Sequence, residues 1–157
     1  MTLEQVKGVL LGDVTRWSAM GGLDQPIVAY TKESTSGTCA FIKHRLLNDE
    51  DLAPTMQPLP GTGAVVNAVS HEPSAVGFGS VAFARDVRVL ALRIDGEEVL
   101  PTAENVLAGR YPLSSELYLY VADPLNPGTQ AFLSFVNSAE GQLIALKAGF
   151  QPLAATP

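Results

Sequence analysis

Leu3, Val6 and Leu10 recur at three- and four-residue intervals behind Thr2, and Thr2 with Gln5 has the spacing of a capping box. This predicts a helix over residues 3–11, closed by Gly12. Residues 13–25 lose the periodicity and carry Trp17 and the pair Gly21-Gly22, so they read as turns, with Trp17 packed beside the glycine pair in a structural role. Pro26 opens a short apolar strand, Ile27 to Tyr30. A run of small polar residues, Thr31 to Gly37, follows, and then a helix from Thr38 to Leu47 with Phe41, Ile42 and Leu46 inward. Asn48 to Gly63, rich in proline and acid, reads as an irregular connection, and Ala64 to Ser70 as a short helix stopped before Pro73.

Val76 to Phe83 and Val87 to Ile94 have the composition of strands, with Asp95-Gly96 as a turn after the second. Pro101 and Thr102 start a helix that Gly109 ends, and Leu117 to Val121 reads as a strand. Thr129 to Ala148 is helical with Phe132, Phe135, Val136, Leu143 and Ile144 as its apolar stripe, broken near Ser138 and Gly141 and stopped by Gly149. Alternating strands and helices predict an α/β fold with a mainly parallel sheet flanked by helices, and the neighbouring strands of residues 76–94 leave room for antiparallel pairing.

Composition narrows the function classes. The 157 residues are 46% hydrophobic and 17% charged, a globular mix rather than a disordered or coiled-coil one. A formal charge of −6 repels nucleic acid and acidic membranes, so a bound anion needs a local positive site. Cys39, His44 and His71 form no zinc pattern, and a single cysteine makes no internal disulfide. No apolar run reaches the ~20 residues that span a bilayer, and the first residues lack the basic start and apolar stretch of a leader peptide. The chain is therefore either cytoplasmic or has lost a leader.

Most apparent motifs fail on context. Gly77-Phe78-Gly79-Ser80-Val81-Ala82 has the letters of a dinucleotide loop but is followed by strand-like residues where a helix must start. Cys39 and His44, five residues apart on one helix, point about 140° apart and make a poor nucleophile and base. Asp49, Glu50 and Asp51 read as a solvated charge run. The informative stretch is Tyr30 to Thr38. A helix starting at Ser36 or Gly37 aims its free amides into the loop, Ser36 and Thr38 add hydroxyls, Gly37 permits close approach, and Lys32 supplies a cation. This outlines an oxyanion cradle; ordinary N-capping by Ser36 explains the same residues without a ligand.

Several stretches in fixed order carry a family resemblance. Leu3 to Gly12 with Trp17, Gly21-Gly22 with Pro26-Ile27, Ala75 to Phe78, Asn105 to Leu113, and Gly141-Gln142 to Leu153 together resemble the phosphate-binding proteins of bacterial phosphate ABC transporters, type II periplasmic binding proteins. The resemblance implies a two-lobed receptor closing on inorganic phosphate or a similar oxyanion. Lys32, Ser36, Gly37 and Thr38 take the places of the family's phosphate loop, lysine standing where the family has arginine. Ser115-Glu116 stands where the family usually has Arg-Pro. Residues 1–110 would be the second lobe and residues 111–157 the crossover strand and C-terminal helices. The sequence corresponding to most of the other lobe does not precede Thr2. That implies an excised second lobe or a half-receptor pairing with another chain, the initial Met pointing to excision.

The implied role is extracytoplasmic phosphate binding without catalysis, cofactor or metal, the parent chain engaging the membrane subunits of an ABC transporter. A binding-protein-like sensory, adhesion or assembly module with a vestigial anion site is the alternative. From Tyr111 onward the chain is expected to pack less securely and to leave an apolar patch able to drive homodimerisation.

Overall fold

The fold is described from a computed structural model over residues 1–153, and divides into two compact units, Met1–Pro101 and a second beginning at Thr102. In the first unit, helix α1 (Leu3–Leu11) is closed at both ends by its own sequence. The Gln5 amide donates to Thr2 Oγ1 at 3.1 Å and the Thr2 amide donates to Gln5 Oε1 at 2.9 Å. Such a cap contributes about 1 kcal/mol. Gly12 takes φ 83°, the left-handed region where a side chain is strained, and ends the helix.

A three-stranded parallel sheet follows, with β1 (Val28–Lys32) between β2 (Gln57–Leu59) and β3 (Ala75–Gly77). Helix α2 (Gly37–Leu46) joins β1 to β2, and α3 (Gly61–His71) joins β2 to β3 and packs on all three strands. The hairpin β4 (Leu92–Ile94) and β5 (Glu97–Val99) pairs antiparallel across Asp95-Gly96. It is tied to the start of α1: the Met1 amino group donates to the Ala91 carbonyl at 2.8 Å and the Arg93 amide to the Met1 carbonyl at 2.7 Å. The core is made by Val9, Leu10, Cys39, Ile42, Leu47, Ala53, Met56, Val65, Leu92 and Val99, with Leu47 wholly enclosed.

The class and the parallel sheet are as expected, and several element limits are not. The connection over residues 48–63 contains β2, and α3 starts at Gly61 rather than Ala64. Pro58 hides the strand in sequence, yet β2 is an edge strand, where a missing amide costs no ladder bond. The strand expected over residues 76–83 is cut to three residues and then a 3-10 turn, Val81–Phe83. Gly77 explains the cut: a Cβ there would lie 2.6 Å from Val65 Cγ1, so α3 crosses against bare backbone. The strand expected over residues 87–94 survives only as β4.

In the second unit, α4 (Ala103–Leu107) is capped by Thr102, α5 (Pro127–Val136) by Asn126 and α6 (Ala139–Lys147) by Ser138. The break expected near Ser138 and Gly141 is present. Gly141 packs against the Phe135 carbonyl, where a side chain would collide, and Gln142 Nε2 donates to the Val136 carbonyl at 2.8 Å. Residues 117–121 form no strand, correcting the sequence expectation. Their aromatic and aliphatic composition suits a sheet, but no partner strand lies within the described part of this unit. Tyr120 is 93% exposed and Leu117 75%.

Candidate functional site

The strand register brings three chain exits to one edge of the parallel sheet. Lys32 pairs with Leu59 and Tyr30 with Gly77, so β1, β2 and β3 all end there and α2 and α3 both begin there. Ligands of open α/β sheets bind outside the carboxyl ends of the strands, where helix N-termini offer unpaired amides.

The two helices that start at that edge lack the side-chain caps of the other described α-helices. Thr2, Thr102, Asn126 and Ser138 each accept from the amide three residues on, at 3.1, 3.3, 2.8 and 3.2 Å. Neither α2 nor α3 has a side-chain cap. At α2 the residue in the capping place is Ser36, whose backbone geometry is that of an N-cap and whose hydroxyl does not cap. Its Oγ is enclosed and has no hydrogen-bond partner. A buried hydroxyl without a partner costs about 1–3 kcal/mol, a cost that N-capping would have removed. Ordinary capping by the Ser36 side chain is thus not what the structure contains.

Around that hydroxyl the other expected residues are arranged as follows. Lys32, half-buried at the end of β1, donates from Nζ to Thr38 Oγ1 at 3.0 Å, spanning the loop. Gly37 is exposed, and a Cβ there would meet nothing within 4 Å. The first helical bond of this turn is the Ala40 amide to the Ser36 carbonyl at 3.0 Å, which leaves the amides of Gly37, Thr38 and Cys39 without a helical acceptor. No acidic residue lies in the first turn of α2, while Lys43, His44 and Arg45 occupy its last. A cation beside a helix N-terminus opposes the helix dipole, so Lys32 adds to the local positive potential instead of balancing it. Cys39 is buried and His44 exposed, its ring nitrogen 3.2 Å from Asp49 Oδ1, so the two do not meet as nucleophile and base.

Sequence reasoning missed the second helix start at this edge, Pro60-Gly61-Thr62-Gly63. The signal available was the glycine pair immediately before the apolar helix. It also missed the reason for Gly77 and Gly79, which is the close approach of Val65 and Thr62 from α3. Trp17 sits in a 3-10 turn (Trp17–Met20) and its indole donates to the Ser74 carbonyl at 2.8 Å, tying that turn to the sheet. Several other charged groups of this unit are paired at the surface. Lys43 meets Asp51 at 2.7 Å and Arg16 meets Asp24 at 2.7 Å, each carboxyl being held below its ordinary range chiefly by the hydrogen bond from its cation. A shallow depression of about 290 Å³ lined by Gln25, Pro26, Glu72, Pro73 and Ser74 lies by the opposite, amino edge of the sheet, away from these residues. Among the described residues no cluster of His, Cys, Asp or Glu has the makings of a metal site, and no helix is long and apolar enough to cross a membrane.

A parallel sheet whose carboxyl edge opens onto two helix starts without side-chain caps, a lysine and an unpaired hydroxyl is the architecture of an α/β unit. The chain belongs to the PBP superfamily: residues 1–140 match the model of a PBP superfamily domain. It is 32% identical over 174 aligned positions to the phosphate-binding protein PstS of Pseudomonas aeruginosa, covering 99% of this chain and 54% of the relative. To PstS of Bacillus subtilis it is 29% identical over 140 positions, covering 88% and 45%. Among solved structures it is similar to a substrate-binding protein of Clostridium perfringens assigned to phosphate ABC transport and crystallised with bound phosphate, at TM-score 0.78 and 29% identity over 98% of this chain and 63% of that one. The chain spans about half the length of the curated relatives it matches.

Proposed function

We propose that this chain is the second lobe and return segment of an extracytoplasmic phosphate-binding protein serving an ABC transporter, with residues 1–110 as the lobe and 111–157 as the crossover and C-terminal helices. Lys32, Ser36, Gly37 and Thr38 are its half of the phosphate site. The observation that carries this reading is the enclosed, unpartnered Ser36 hydroxyl beside the Lys32–Thr38 hydrogen bond at a helix start. Support comes also from the relatives, a phosphate-binding protein of Pseudomonas aeruginosa and a substrate-binding protein of phosphate ABC transport from Clostridium perfringens. The chemistry asked of the site is reversible binding: it supplies charge and donors and needs no nucleophile.

The affinity follows from the parts. A few charge-assisted hydrogen bonds contribute about 1.5–3 kcal/mol each and a helix terminus about 0.3–1. Immobilising the ion costs at least ~4 kcal/mol, and stripping a dianion of water at an open surface offsets most of the remainder. The chain by itself is expected to hold phosphate at about millimolar strength, weakening as salt screens Lys32 over ~8–10 Å. Calorimetric titration of the chain with inorganic phosphate tests this. Lys32→Ala should remove the heat of binding, and Lys32→Arg, which grips two oxygens with a planar fork, should hold or strengthen it. Unchanged binding in Lys32→Ala would contradict the assignment.

A further inference from the structure

Helix α5 of the second unit sorts its side chains into three sectors at about 100° per residue. Thr129, Leu133 and Val136 are half-buried and form one; Gln130 and Ser134, both exposed, lie in a polar second. The third, about 100° wide, holds Gly128, Ala131, Phe132 and Phe135, all exposed, the two rings 57% and 42% accessible. No charged side chain occurs from Pro124 to Ala139, although the whole chain carries a formal −6. Interface centres are poor in charge and rich in aromatic residues, and exposed apolar faces of this kind mark contact sites.

We propose that this face of α5 seats a second copy of the chain, the two helices packing antiparallel about a two-fold axis that crosses between Ala131 and Phe132. About that axis Phe135 of one copy lies opposite Gly128 of the other, and Phe132 opposite Ala131, so each ring meets a small residue and the face is complementary to itself. A parallel pairing would set ring against ring and leave the small positions unfilled. Two copies of charge −6 repel each other, and an uncharged face is where they meet at least cost. A lipid surface fits less well, because a helix lying on a membrane needs basic residues on its polar face and α5 has none. Two half-exposed rings and the small residues beside them offer on the order of a few hundred Å² per copy, short of the ~800 Å² per partner of a standard interface, so the dimer is a transient one.

Sedimentation velocity of the 157-residue chain from about 5 to 500 µM should show reversible association with a dissociation constant on the order of 10–100 µM. Added salt should hold or tighten it, since salt screens the repulsion between copies. Phe135→Glu, which puts a carboxylate into the apolar face, should remove the association, whereas Leu119→Glu, outside that face, should leave it unchanged; circular dichroism checks that both variants stay folded. Ala131→Cys, beside the axis, should cross-link copies on mild oxidation, the chain's own Cys39 being buried, and Ser134→Cys, in the polar sector, should not. A chain that stays monomeric at about 500 µM, a dimer that survives Phe135→Glu, or equal cross-linking through Ser134→Cys overturns the inference. None of these changes alters residues 32–38, so the phosphate titration stands or falls separately.

Discussion

The two units of this chain have much the same apolar character in sequence and opposite burial in structure. All ten buried apolar side chains of the described residues lie in Met1–Pro101, where α1, the parallel sheet, its helices and the β4–β5 hairpin enclose them. From Thr102 on, the one buried residue among those described is Gly141. Leu117, Tyr118, Leu119, Tyr120, Phe132, Phe135, Leu143 and Ile144 are all exposed. Monomeric soluble domains rarely leave so much apolar surface contiguous and uncovered. The first unit carries its own core and the proposed cradle, while the second has good local structure, three capped helices, without a core to match among its described residues.

The largest expected effects contrast single leucines in the two units. Leu47→Ala, at a fully enclosed position, should cost about 2–5 kcal/mol in urea unfolding. Leu119→Ala, 58% exposed, should change stability by no more than about 0.5 kcal/mol. An equal loss at both would mean that the second unit is covered in solution by another surface.

Glycines sharpen the contrast inside the first unit. Gly77→Ala places a methyl 2.6 Å from Val65 Cγ1 and should destabilise by about 1–3 kcal/mol. Gly37→Ala meets nothing within 4 Å and should leave stability within about 0.5 kcal/mol, yet it puts a methyl in the proposed anion site and should weaken phosphate binding. Retained binding in Gly37→Ala, read by the same titration, would place the ligand elsewhere.

The smallest effect is on pH dependence, and its sign differs between the units. In the first unit hydrogen bonds from Arg16 and then Ser18 hold Asp24 below its ordinary 3.8, one from Lys43 does so for Asp51, and Ser74 holds Glu72 below 4.5. Groups with lowered folded values stabilise above their ordinary values, and that contribution is lost as pH falls through the folded ones. Stability should be flat from neutrality down to those ordinary values and decline slightly below them, with salt reducing the change because Asp24 and Asp51 are exposed and Glu72 is only half-buried. In the second unit burial raises Tyr111 above its ordinary 10.0, so its contribution is present below that value and lost as pH rises through the folded one. Carboxyl and phenol titrations by NMR check each direction.

Local signals were legible in the sequence wherever one short stretch decides the outcome. The Thr2–Gln5 box, the Gly12 stop, the Ser138 break and the strand, Ser/Gly loop and helix around Lys32 all belong to that kind. Whatever depends on a neighbour distant in sequence was not legible. β2 is a strand because β1 pairs with it in spite of Pro58, and β3 stops because α3 crosses it at Gly77. Residues 117–121 have the aromatic and aliphatic composition of a strand and lack the partner, so their composition describes a preference that this unit does not fulfil. At the site, the residue types and order around Ser36 were readable. That its hydroxyl would be enclosed and unpartnered, rather than capping α2, depends on the packing of the loop.

Hydrogen exchange followed by mass spectrometry on the whole chain, with and without inorganic phosphate, tests the central contrast most directly. The account predicts strong protection over residues 28–32 and 37–47, further slowing on phosphate addition confined to about residues 32–40, and fast exchange over residues 111–123 that phosphate leaves unchanged. Protection across residues 111–123 equal to that of the first unit, or a phosphate response centred there, would contradict it.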